Sequence, residues 1–207
     1  MPNFCLNKFP SPLARFHGGH LLSVRHVKVI FAGDGAVGKT AIVNRFTKGE
    51  YGAMYKMTIG TNISVHKSVK NGIEVTLVCW DLGGQPRFEA VRGSFYLGAQ
   101  VIVLVYDITS PGSFKNLANW LEEVNRAISE SNYKGYKGII IGNKTDLPVE
   151  FRAVDIEEAE SFAKTVGFIY LETSAKDGNG ITDLVEMLID SAFIHPSQEL
   201  IELDTLS

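Results

Sequence analysis

Cysteine is scarce: the 207 residues hold two, Cys5 and Cys79. Two thiols make no disulfide framework, and Cys79 sits in an apolar, strand-like run, so a reduced, cytosolic protein is expected. A basic excess is also missing, with 20 Lys and Arg against 23 Asp and Glu and a net charge of -3. A surface for polymeric nucleic acid needs such an excess, so none is expected. No apolar run reaches bilayer length; "VIVLVY" (residues 101–106) has the length of a strand. The C-terminal "SQELIELDTLS" lacks cysteine and basic residues, so no prenylation is expected. Pro2 stands where N-myristoylation needs glycine.

Acidic residues are absent before Asp34. Pro2, Pro10 and Pro12 argue against a continuous helix there. A flexible tail over residues 1–24 is the expectation. The alternatives are a weak transit-like segment or a membrane contact through Phe4, Phe9 and Phe16, with Cys5 as a candidate acylation site. His17 and His20 flank "GG", and no metal is expected on them.

What is present is a core. Hydrophobic residues make up 45%, and the length suits one domain with tails. That domain is expected over residues 25–194, with an acidic tail over 195–207. "HVKVIFAG", "VIVLVYDI", "GIIIGN" and "FIYLETS" read as buried strands. "NISVHKSVK" and "IEVTLVCWD", joined by Asn71-Gly72, read as a β-hairpin with a tight primed turn. Residues 39–48 read as a helix. Helical stripes follow at Phe114, Leu117, Leu121, Val124 and Ile128, at Ile156 to Val166, and at Ile181 to Ile189. Strands alternating with helices mean an α/β fold around a mostly parallel sheet, whose ligands bind beyond the carboxyl ends of the strands.

The loops after the strands carry the chemistry. "GDGAVGKT" (residues 33–40) fits G-x-x-x-x-G-K-[ST] between a strand and a helix. Gly33, Asp34, Gly35, Ala36, Val37 and Gly38 would curl their backbone N–H groups around phosphates. Lys39 would set a point charge on the β- and γ-phosphates, Thr40 would offer its hydroxyl to Mg²⁺, and Ala41 opens the helix whose dipole helps. The motif implies a nucleoside triphosphate without choosing the base. "NKTD", Asn143 with Lys144, Thr145 and Asp146, suits guanine: a carboxylate accepts from N1–H and the exocyclic amine, which adenine cannot match. Lys144 can lay its stem along the base. "TSAK", with Ser174, Ala175 and Lys176, can present backbone N–H groups to the guanine O6.

With those motifs in this order, the chain resembles small GTPases of the Ras superfamily from about Arg25 to Phe193. "GDGAVGKT", Thr58 in "TIG", "WDLGGQ", "NKTD" and "ETSAK" carry the resemblance. It implies a P-loop small G-domain: a six-stranded, mostly parallel sheet with one antiparallel pair and helices on both faces. It implies that Thr40 and Thr58 ligate Mg²⁺ and that Asp81 holds the metal through water. It implies that Gly84 N–H senses the γ-phosphate, that Tyr51 meets the guanine edge and that Tyr55 closes over the phosphates. Gln85 resembles the residue that orients the attacking water, with Lys39 assisting, and Gly35 the position that must stay small. It further implies GTP and GDP as substrate and product, two switch loops over about residues 51–61 and 82–98, and three kinds of partner: a GTPase-activating protein, an exchange factor and effectors. No arginine obviously acts in cis, so slow intrinsic hydrolysis is expected.

The subfamily motifs are mixed. The phosphate loop looks like Rho proteins, "TIG" and "YDITSPGSFKNLANWLEEV" like Rab proteins, and "WDLGG" like Arf proteins. The lack of a C-terminal cysteine departs from Ras, Rho and Rab, so a cytoplasmic protein, or one peripheral on a membrane through its N-terminal tail, is expected. Competing readings are a GTP-binding scaffold with little hydrolysis, suggested by Pro86 after Gln85, and a P-loop kinase or ATPase, which leaves "NKTD" and "TSAK" unexplained.

Overall fold

Val, Ile and Leu crowd the segments that end at Ala32, Asp107 and Asn143, and strands that apolar are stable only with both faces covered. The computed structural model describes residues 15–17, 20–50, 58–85, 89–129 and 135–193. Two short strands, β1 (Arg15–His17) and β2 (His20–Leu22), pair antiparallel ahead of the main sheet. The main sheet is built from β3 (Val24–Ala32), β4 (Thr61–Lys70), β5 (Ile73–Leu82), β6 (Val101–Asp107), β7 (Lys137–Asn143) and β8 (Ile169–Thr173). Its order is β4-β5-β3-β6-β7-β8, and every neighbouring pair is parallel except β4 with β5. This is the sheet that the resemblance implied. Lys70 faces Ile73, which leaves Asn71 and Gly72 as a two-residue turn at φ 54° and 74°, a primed hairpin turn.

Side chains alternate across the sheet and fill two cores. Val103 and Val105 point to a core closed by α1 (Lys39–Lys48) and α6 (Ile181–Asp190). Ile102 and Leu104 point the other way, under α2 (Glu89–Tyr96), α3 (Pro111–Lys115), α4 (Leu117–Ser129) and α5 (Ile156–Thr165). Each fully buried aliphatic side chain is worth about 1.5–3 kcal/mol in transfer free energy.

Two local features differ from the sequence pattern. The stripe from Phe114 to Ile128 is divided: α3 ends at Lys115 and α4 starts at Leu117. Ser110 caps α3 through its side chain and Pro111 takes the first turn, while the side chain of Asn116, at the break, reaches the phosphate loop. On β4 the apolar residues face outward, with Ile63, Val65 and Val69 half exposed or more, while His66 packs edge-on against Phe46. Among the described residues, no helix is long and apolar enough to cross a membrane.

The topology also places the site. From β3 the chain adds β5 on one side and later β6 on the other. The strand order therefore reverses beside β3, and a crevice opens at the carboxyl ends there. The segments following β3, β5, β6, β7 and β8 all start from that edge.

Candidate functional site

At one end of the crevice, three loops are tied by one amide. Asn143, buried at the end of β7, donates from Nδ2 to Val37 O at 2.9 Å. Its Oδ1 accepts from Thr173 Oγ1 at 3.0 Å and from Ala175 N at 3.2 Å. The phosphate loop, "NKTD" and "TSAK" are thus held in one register. Next to it Asp146 Oδ1 accepts from Ser174 Oγ at 2.8 Å, and Lys176 Nζ lies 3.4 Å from Oδ2. Ser174 Oγ in turn accepts from Asp177 N. Ser174 and Lys176 thus fix the orientation of the carboxylate expected to read guanine. Lys144 adopts φ 78°, and its ammonium pairs with Asp107 at 2.5 Å.

At the other end the phosphate loop wraps Lys39. This buried ammonium donates to Gly33 O at 2.7 Å and Asp34 O at 2.6 Å. Burial pushes its pKa down to about 8, against the pull of the Asp81 and Asp34 carboxylates. Ala36 takes φ 67° in the loop, Val37 anchors it in the core, and Ala41 packs against the same core. Gly38, at φ 103°, opens α1. Asp34 sends its carboxylate away from the loop: Oδ1 accepts from Asn116 Nδ2 and from Trp120 Nε1 at 2.8 Å.

Beyond Lys39, three oxygen donors converge from separate elements. Thr40 Oγ1 donates to Asp81 Oδ2 at 2.5 Å and lies 2.8 Å from Thr58 Oγ1, which reaches the same carboxylate oxygen at 3.3 Å. Asp81 is fully buried and its Oδ1 has no hydrogen-bond partner. Burial raises its carboxyl pKa. An orphaned carboxylate oxygen beside two hydroxyls is the chemistry of a hard cation site, and Mg²⁺ takes oxygen ligands together with waters and substrate phosphates. The residues fit that ion. No group of three or more His, Cys, Asp or Glu among the described residues could hold a metal, so such a site depends on the hydroxyls and on ligand oxygens.

The glycines after Asp81 allow two close approaches. A Cβ on Gly84 would stand 2.4 Å from Asp34 C and 2.5 Å from Gly35 N, so the second loop lies directly on the phosphate loop. Gly83 N–H donates to Gly60 O at 2.7 Å, and a Cβ there would meet Thr58 O at 2.8 Å. Segments 58–61 and 82–85 therefore touch each other as well as the phosphate loop. At Gly35, by contrast, a Cβ would meet nothing within 4 Å. Gln85 is partly buried, and its carbonyl accepts from Arg92 Nη1 at 2.9 Å. Tyr51, Tyr55 and Pro86 lie outside the described residues.

Comparison with known proteins supplies the family. The model of the Ras family matches residues 28–193. The chain belongs to the Ras family. Ras-related protein RABA5c of Arabidopsis thaliana is 35% identical over 178 residues, covering 86% of this chain and 81% of that relative. Ras-related protein RABD2a, also from Arabidopsis thaliana, is 38% identical over 154 residues, 74% of this chain and 73% of the relative. Ras-related protein Rab7 of Drosophila melanogaster is 36% identical over 167 residues, 80% of each. As a member of the Ras family the chain is a GTPase, a Rab-like nucleotide-binding switch protein.

Some residues that organise this Ras-family site escape the sequence. Asp107 fixes Lys144, and its place at the carboxyl end of a buried strand was the available signal. Arg92 and Trp120 gave none. Arg92 reads as one charge on an amphipathic helix and Trp120 as one core aromatic, yet both border a cavity of about 570 Å³ beside Asp34, Gly35 and Gly84.

Proposed function

We propose that this Ras-family protein binds GTP and GDP together with Mg²⁺, hydrolyses GTP slowly, and signals or regulates trafficking through two nucleotide-sensitive loops. The observation that carries the reading is the shared cradle of Thr40, Thr58 and the orphaned Asp81 oxygen, next to Lys39 and the phosphate loop. Thr58 and Asp81 stand on either side of the contact between the two loops, so what occupies the cradle bears on both.

The residue roles follow from phosphoryl-transfer physics, where positioning and charge neutralisation do nearly all the catalysis. Lys39 would place its ammonium on the β- and γ-phosphates, exchanging two carbonyls for phosphate oxygens. Thr40 and Thr58 would hold Mg²⁺ by their hydroxyls, with Asp81 behind water. When bound, the ion supplies neutralisation of charge between the β- and γ-phosphates. Gly84 N–H would meet the γ-phosphate and Gln85 would orient the attacking water. At the base end Asp146 would accept from guanine, Lys144 would cover the ring and Ala175 N–H would meet O6. A partner's arginine aimed at the transferring phosphate would add roughly 10³–10⁵ in rate.

Effectors would dock on the exposed apolar side of β4. Ile63 and Val65 lie there, and exposed Ile59 precedes the strand next to Thr58. The likeness to Rab proteins supports the trafficking role. We place it in the cytoplasm or peripherally on a membrane, and among the described residues no helix is long and apolar enough to cross one. Single-turnover hydrolysis of bound GTP, with Mg²⁺ and with a chelator, tests the proposal. Slow turnover that needs Mg²⁺ is expected; no turnover, even with a cell extract as a source of activator, would leave a GTP-binding scaffold instead.

A further inference from the structure

We propose that Arg92 is a positioning residue for Gln85, holding the water-orienting residue to the rigid helix α4. The inference rests on the reading of Gln85 given above.

Arg92 is 4% exposed and every edge of its guanidinium is engaged. Nε donates to Glu123 Oε1 at 2.7 Å and Nη2 to Glu123 Oε2 at 2.5 Å, a bidentate fork. Tyr96 OH donates to Glu123 Oε1 at 2.9 Å and steadies the carboxylate. The remaining arm, Nη1, goes to the carbonyl of Gln85. The flat face of the guanidinium lies over Trp120, 4.3 Å from the ring centroid. The same indole donates to Asp34 in the phosphate loop. One aromatic on α4 thus supports both the phosphate loop and the arginine that holds the second loop.

This arrangement answers a mechanical problem. Gly83 and Gly84 have no side chains to restrict the main-chain torsions before Gln85. On its upstream side Gln85 is bounded by the contact of Gly84 with Asp34 and Gly35. On its own carbonyl it is bounded by Arg92. With the main chain pinned at both points, the side chain of Gln85 starts from a fixed Cα–Cβ direction. A buried ion pair is weak as a source of stability, since well-packed apolar residues often replace one without loss. The geometry that Arg92 imposes on Gln85 is a better account of its burial. Lysine cannot substitute: its single ammonium cannot serve both carboxylate oxygens and a carbonyl on the opposite edge.

The test is single-turnover GTP hydrolysis and GDP release in the full chain. The variants are Arg92→Lys and the paired Arg92→Met, Glu123→Met, each made with Gln85 and with Gln85→Leu. The paired variant removes the charge on both sides, so no buried ion is left alone if Arg92→Lys folds poorly. Both are expected to slow hydrolysis by about tenfold to a hundredfold, with GDP release within about threefold of the parent. In the Gln85→Leu background neither should slow it further, because the group being positioned is gone. Unchanged hydrolysis in the Gln85 background, or equal slowing in both backgrounds, overturns the inference while leaving Gln85 its role. No effect of Gln85→Leu itself would instead remove the reading of Gln85, and this inference with it.

Discussion

The two ends of the nucleotide crevice are built on opposite principles. At the base end every polar group argued to matter already has a partner: Asn143 binds three neighbours, Asp146 binds Ser174 and Lys176, and Lys144 binds Asp107. At the γ-phosphate end a buried carboxylate oxygen is unsatisfied, Lys39 is held by carbonyls, and loops touch through glycine. A satisfied network is rigid, and removing one member costs its partners' desolvation. An unsatisfied buried group carries a desolvation cost that a ligand can relieve. On the proposed reading the difference marks where the switch would lie: the base end would grip in either nucleotide state, and the phosphate end would be completed by what is hydrolysed.

Breaking the rigid end should have the largest effect. Asp146→Asn loses charge-assisted hydrogen bonds to the base, each worth about 1.5–3 kcal/mol, so GDP affinity should fall by about 10²–10⁴-fold. Titration with a fluorescent GDP would show it, and a loss under tenfold would mean that Asp146 does not read guanine. At the other end Gln85→Leu should slow single-turnover hydrolysis by about a hundredfold and leave GDP affinity nearly unchanged. An equal loss of affinity would place Gln85 in binding rather than chemistry.

Asp81→Asn keeps the shape and the contacts to Thr40 and Thr58 but removes the anion. The Mg²⁺ concentration that half-suppresses GDP release should rise by about tenfold to a hundredfold. An unchanged Mg²⁺ requirement contradicts the cradle. The smallest change sharpens the comparison most. Gly35→Ala adds a methyl where the protein has open space, so unfolding free energy should stay within about 0.5 kcal/mol while hydrolysis slows. A drop in stability that matches the drop in rate would show that Gly35 serves the fold.

The base end and the phosphate loop were legible in the sequence because their geometry is local. "NKTD" and "GDGAVGKT" each sit within one loop behind one strand, and the order of the sheet brings them together without further information. The hairpin was legible for the same reason, from Asn71-Gly72 and its flanking alternation. The support of the second loop was not. Arg92, Glu123 and Trp120 come from two helices, and Asp34 from a third segment, so no spacing announces their contact. The break at Asn116 was hidden because its apolar stripe continues through it, while the polar side chain that explains the position points to the phosphate loop. Alternation on β4 defines two faces and does not say which one is covered, so its outward apolar face could be read only from the structure.

Hydrogen exchange compared between protein loaded with GDP and protein loaded with a non-hydrolysable GTP analogue, both with Mg²⁺, tests the two-ended account most directly. Amide protection should differ at residues 58–61 and 82–85 and be the same at 143–146 and 173–177. Equal changes at both ends, or none at the γ-phosphate end, would contradict it.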